Sequence, residues 1–181
     1  MAGYFEPAPG GGAVIALDTV EKSILRSLAV QLLEMIGPGE EPVSDDPLAA
    51  LFPADGPSKP PSDPALARLF PDAYEDTAQS SEFRRFTEND LRSRKREDAL
   101  VLVRSLDGAD AELRLTPEET RRWLGALNDL RLTIGTRLEV TDEDTELYRL
   151  PDDDPLKPMV MAYLWLGGLQ ETLIETLSGT V

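Results

Sequence analysis

The sequence predicts an α+β fold that is mainly α: a bundle of about four helices with a small antiparallel β-sheet near the N-terminus. Three observations carry this. Apolar residues recur at helical spacing in several long segments. Two segments open on clear helix-start signals, Asp18 with Glu21 and Thr116-Pro117-Glu118-Glu119. Short apolar runs flank Gly10-Gly11-Gly12 in the manner of strands joined by a turn. With 181 residues, the chain is read as a single domain over 1–181 with a proline-rich insertion at 40–71.

Taken in order, residues 4 to 17 give two short strands around the glycine turn. Asp18 and Glu21 then form a capping box, and Val20, Ile24, Leu28, Leu32 and Ile36, with Leu25 and Leu33 beside them, give an amphipathic helix that ends at Gly37-Pro38-Gly39. The insertion holds eight prolines between Pro42 and Pro71, which excludes long regular structure. Within it, Leu48 to Phe52 and Leu66 to Phe70 both end in Leu-Phe-Pro and read as single helical turns that dock a Leu and a Phe on the body. Ser80 or Ser81 is the expected cap of a long helix running to about Leu106, apolar at both ends (Phe83 and Phe86, then Leu100 to Val103) and charged between them. Ala111 to Leu115 alternates like a strand that pairs with the N-terminal ones. After Thr116 comes a helix whose stripe is Trp123, Leu127, Leu130, Ile134 and Leu138. A last helix, from about Leu156 to Leu177, is apolar almost all round between Met159 and Leu169, as befits a central helix or one shared with a partner.

Composition narrows the chemistry. There is no histidine and no cysteine, so imidazole bases, thiolate nucleophiles, disulfides and the usual zinc, copper or iron ligands are all excluded. No nucleophile elbow or phosphate-cradling loop is present; the three glycines precede a strand rather than a helix. A non-enzymatic role without cofactor or metal is expected. The acidic stretch from 141 to 154 lacks the register of a calcium loop. The net charge of −16 would repel phosphate backbones, and no apolar run is long enough for a membrane span, so a cytoplasmic protein is expected, with direct nucleic-acid binding disfavoured.

The charged middle of the long helix supplies the candidate partner-binding residues Arg92, Lys95 and Arg96. From Glu82 to Glu97 six basic residues face four acidic ones, with acid and base four apart (Glu88 and Arg92, Asp90 and Arg94, Arg94 and Asp98) in the pattern of self-paired surface charges, which is the blander reading. The apolar line from Phe86 toward Leu100 also passes through Asp90, Ser93 and Glu97. Asn128, Arg131 and Arg137 on the following helix are therefore candidates for an internal polar seam, with Asp90 or Glu97 pairing Arg131 or Arg137, or for a partner groove.

Several segments together resemble the actinobacterial AosR-like oxidative-stress transcriptional regulators, a family first known only as a domain of unknown function. The carrying residues are Glu21, Leu25 and Leu28; Phe83-Arg84-Arg85-Phe86-Thr87 with Leu91, Arg92 and Lys95; Leu115-Thr116; Trp123 through Leu132; Ile134 through Leu138; and Tyr163-Leu164-Trp165-Leu166 with Leu169-Gln170-Glu171. The resemblance implies a cytoplasmic regulator that associates with transcription machinery, a sigma factor by expectation. A direct DNA binder and an adaptor or scaffold are the alternatives. The apolar last helix would also suit a homodimer. Thiol-based sensing, expected of such a regulator, has no cysteine here, so binding is constitutive or sensing belongs to the partner. Of the four methionines, Met35 falls on a buried stripe, and nothing in the sequence singles out Met1, Met159 or Met161 as a sensor.

Overall fold

The computed structural model describes residues 3–38, 56–108, 111–141 and 147–179. Along the chain come β1 (Glu6–Pro7), β2 (Ala13–Ala16), α1 (Thr19–Ile36), α2 (Pro64–Leu69), α3 (Thr77–Asp107), β3 (Glu112–Leu115), α4 (Pro117–Arg137), a 3-10 turn at Leu147–Arg149, and α5 (Lys157–Ser178). The expected α+β, mainly α class holds.

The sheet is antiparallel in the order β1-β2-β3, with Ile15 opposite Leu113 and Ala13 opposite Leu115. That register puts Ala13, Ile15, Leu113 and Leu115 on the buried face. The turn before β2 needs glycine for two reasons at Gly12. Its φ is +85°, and a Cβ there would stand 2.1 Å from the Leu115 carbonyl oxygen.

Both predicted capping boxes are present, at Asp18 with Glu21 and at Thr116 with Glu119. The buried stripe of α1 is Leu25, Ala29, Leu32 and Ile36, whereas Val20 and Ile24, expected inside, are 65% and 42% exposed. Ala29 has no bulk to hold α3 away, and the stripe turns toward that neighbour. Met35, expected on the buried stripe, is only partly buried.

Of the two Leu-Phe turns, that of Leu48 to Phe52 lies outside the described residues. The other docks as expected: α2 is capped by Asp63 and buries Leu69 and Phe70 almost completely. The start of α3 departs from expectation. Asp76, not Ser80 or Ser81, caps the helix by accepting from Gln79 N at 2.8 Å. Ser80 lies one turn inside, where its hydroxyl accepts from Ala73 N and donates to Asp72 Oδ1. A carboxylate is the stronger acceptor for an orphan N–H, and four residues farther upstream it leaves Ser80 to tie down the loop.

The principal core lies between α1, α3, α4, α5 and the sheet. Trp123 is its largest fully buried side chain, set edge-to-face against Phe5 with centroids 5.8 Å apart, its indole N–H donating to Ser105 Oγ. Helix α5 packs on α4 through Leu166, Leu169 and Leu173, and Thr172 Oγ1 accepts from Phe5 N, tying the N-terminal strand to the last helix.

Candidate interaction surface

The N-terminal half of α3 buries polar rather than apolar residues. Phe83 and Phe86, expected inside, are 44% and 67% exposed, while Ser80, Arg84, Glu88 and Arg92, four residues apart, form the buried line. Arg84 reaches Glu88 at 3.1 Å and Asp72 at 2.9 Å, and Arg92 lies 3.9 Å from the same Glu88 oxygen. Arg92 also donates to the Ile36 carbonyl and sets its guanidinium 4.6 Å from the Phe70 ring centroid. Arg96 donates to the Leu33 carbonyl at 3.1 Å. Helix α1 has no basic residue in its own last turn, so its negative end is met by these two arginines from α3.

Lys95 completes the set. It bonds Asp129 of α4 at 2.7 Å, where burial pushes the carboxyl pKa up and the lysine pulls it partly back. One turn along, Asp98 meets Arg122 at 3.0 Å, and burial raises its pKa too. Gly125 makes room for it: a Cβ at that position would stand 2.4 Å from Asp98 Oδ2. Thus Arg92, Lys95 and Arg96, read from sequence as partner-contacting cations, all make intramolecular contacts that join α3 to α1 and α4.

The polar seam exists with other members than those expected. Asp90 is exposed and Glu97 lies 3.5 Å from Arg104, in a pair open to solvent. Neither is bonded to Arg131 or Arg137 in the described contacts. Arg137 instead reaches Asp63 Oδ2 at 2.5 Å, while Oδ1 of the same carboxylate caps α2; the arginine holds the Asp63 carboxyl below its usual range. Sequence reasoning missed Arg84 and Glu88 as buried ions. The spacing of four through Ser80, Arg84, Glu88 and Arg92 was the available signal.

Asn128 and Arg131 are brought together at the α4–α5 boundary. Arg131 lies over the Tyr163 ring, 5.2 Å from its centroid, and donates to Gln170 Oε1 at 2.9 Å; Gln170 in turn donates to Asn128 Oδ1 at 3.3 Å. Tyr163 fits against α4 at Gly135, where a Cβ would approach its ring to 3.1 Å. Beside these residues lies an open groove of about 680 Å³ whose lining includes Gly167, Gly168, the apolar Leu164 and Ile174, and the acidic Glu171 and Glu175. Leu156, Met159, Met161 and Ile174, each at least 41% exposed, leave α5 with apolar side chains directed outward as well as inward. The expected core role of α5 is visible in Leu166, Leu169 and Leu173, and further apolar side chains lie exposed along the same helix.

The model for the domain of unknown function DUF2017 matches residues 1–177. The chain belongs to this family. Among curated proteins it is similar to the oxidative stress regulator AosR of Mycobacterium tuberculosis and to that of Mycobacterium bovis, each 30% identical over 175 residues, covering 88% of this chain and 79% of the relative. No solved structure matches. The family's span includes the α3 arginine line, the α4 contacts and most of α5, so all of the geometry above lies within the matched residues. Among those described, no helix is long and apolar enough to cross a membrane.

Proposed function

We propose that the chain is a non-enzymatic regulator of the oxidative-stress response that works by binding a protein of the transcription machinery, a sigma factor, through the outward face of α5. The regulatory part rests on the similarity to relatives named as oxidative stress regulators. The observation that carries the binding mode is the groove between Arg131, Tyr163, Gln170 and Ile174, bordered by exposed apolar side chains on a chain otherwise rich in surface charge. Direct DNA binding is the weaker reading. Among the cations between residues 84 and 96, Arg84, Arg92, Lys95 and Arg96 are engaged inside the molecule, and the net charge is −16.

The test is equilibrium binding of the purified chain to purified sigma factors, for the parent and for Ile174→Glu and Tyr163→Ala, with folding checked by circular dichroism. Each substitution is expected to weaken binding by about tenfold or more. Unchanged affinity in both variants would rule out the α5 face, and failure to bind any sigma factor would rule out that partner.

A further inference from the structure

A chain similar to oxidative-stress regulators but without cysteine must meet an oxidant, if it meets one itself, at some other atom. Thioether sulfur is the next most oxidisable side-chain group. Of the described methionines, Met35 is partly buried against the core, whereas Met159 and Met161 are 41% and 54% exposed on α5. Met161 is thus the most open to an oxidant in water. Accessibility alone would make it a bystander; its helical neighbour gives it a consequence.

Four residues on from Met161 is Trp165, on the same side of α5. Long side chains on a helix lean toward its N-terminus, a geometry that directs the indole of Trp165 toward the turn that carries Met161. Its Nε1–H is buried and has no hydrogen-bond acceptor among the described residues. An indole N–H excluded from water in this way is a standing deficit. Trp123, by contrast, has Ser105 Oγ as its acceptor. A thioether is a weak acceptor and a sulfoxide oxygen a strong one.

We infer that Met161 is a methionine-oxidation site whose sulfoxide oxygen accepts a hydrogen bond from the orphan indole N–H of Trp165, making α5 a cysteine-free response element to hydroperoxides. The oxidant is hydrogen peroxide. The sulfur lone pair attacks one peroxide oxygen, the O–O bond breaks, and an S–O bond forms; sulfur is oxidised by two electrons and the second peroxide oxygen leaves as water. Met161 then presents an oxygen to a donor that lacked one, and an exposed apolar side chain on the proposed docking helix becomes polar. The inference rests on the regulatory reading for its purpose only, and its test needs no partner, so either can fail without the other.

The experiment treats the full chain with hydrogen peroxide and follows peptide mass and tryptophan fluorescence in the parent, Met161→Leu, Met159→Leu and Trp165→Phe. The expected result is that Met161 gains one oxygen before Met35 does. An emission change should accompany it in the parent and in Met159→Leu, and be lost in Met161→Leu and Trp165→Phe. Met161→Gln, which supplies an amide oxygen without oxidation, should shift the unoxidised emission in the same direction. The inference is overturned if Met161 stays reduced while Met35 oxidises, if oxidised Met161 leaves the emission unchanged, or if the change persists in Met161→Leu.

Discussion

Replacing Arg92 by alanine tests whether the buried arginines of α3 hold the fold together or merely decorate it. Arg92 is 7% exposed and makes three kinds of contact: a charge-assisted hydrogen bond to the Ile36 carbonyl, a guanidinium face over Phe70, and an ionic approach to Glu88. A buried hydrogen bond from a charged group contributes about 1.5–3 kcal/mol, and a desolvated cation over an aromatic ring up to about 2 kcal/mol. Truncation also removes one of the two arginines flanking buried Glu88, and breaking a buried ionic contact from one side typically costs about 3–5 kcal/mol. These contributions overlap, so about 3–5 kcal/mol is expected in total. With a urea slope of about 2 kcal/mol/M, the midpoint should fall by ~1.5–2.5 M, read by circular dichroism. Arg26→Ala, which breaks a half-exposed pair with Asp107, is the control and should leave the midpoint nearly unmoved. Removing both ions in Arg92→Met with Glu88→Met should be less destabilising than the sum of the single changes, because neither member of that pair is then left facing the loss of the other, and Arg84 keeps its contact with Asp72. The reasoning is refuted if Arg92→Ala shifts the midpoint no more than Arg26→Ala, or if the double change is additive to within about 0.5 kcal/mol.

Two further outcomes follow from the geometry. Gly10 and Gly12 both have positive φ, but only Gly12 is crowded by backbone; Gly10→Ala should cost about 1–2 kcal/mol, and Gly12→Ala clearly more in the same melt, with equal losses counting against the close approach to Leu115. The carboxyl of Asp129 has a raised pKa in the fold, so the native state holds its proton more tightly than the unfolded chain does. That contribution is full below about pH 3.9 and declines as pH rises through the native value. Asp63 behaves oppositely: its lowered pKa adds stability above the unfolded value that is lost as pH falls through the native one. Urea midpoints between about pH 3 and pH 6 should therefore show Asp129→Asn losing ground to the parent least at high pH and most at low pH, and Asp63→Asn the reverse. Parallel curves for both variants would contradict the assignments.

How much of this could be read in the sequence depended on whether a feature was local. Capping boxes join residues three apart, and strand alternation and the glycine turn are equally short-ranged, so α1, α4 and the sheet were legible. The face a long helix buries is a tertiary matter. Phe83 and Phe86 read as core because they are apolar, yet α3 turns them outward so that Arg84 and Arg92 can reach Glu88, Asp72 and the open carbonyl end of α1. No periodicity in α3 reveals that a different helix ends opposite it without a cation of its own. The pairing of Asn128 and Arg131 through Gln170 was likewise hidden, since Gln170 is 42 residues away from Asn128. Arg131, read as a member of a seam with α3, lies instead at the α5 boundary, where it meets Tyr163 and Gln170, and the polar pairs between α3 and α4 are Lys95 with Asp129 and Asp98 with Arg122.

The disposition of the cations explains why the outward character of the molecule is acidic and apolar rather than basic. The long helix is the most basic stretch of the chain, but four of its cations turn inward: Arg92 and Arg96 to the end of α1, Lys95 to Asp129, Arg84 to Asp72 and Glu88. Arg137 is bound to the cap of α2, and the Arg131 guanidinium lies 5.2 Å from the centroid of the Tyr163 ring. With these positive charges engaged internally, a chain of net charge −16 projects negative potential, which disfavours phosphate-rich partners at long range. Close in, the α5 groove offers apolar walls and the carboxylates of Glu171 and Glu175. On the proposed reading, apolar contact would supply the affinity there, and Glu171 and Glu175 would select against acidic competitors. With these cations turned inward, α5 is the surface on which the proposed protein partner would dock.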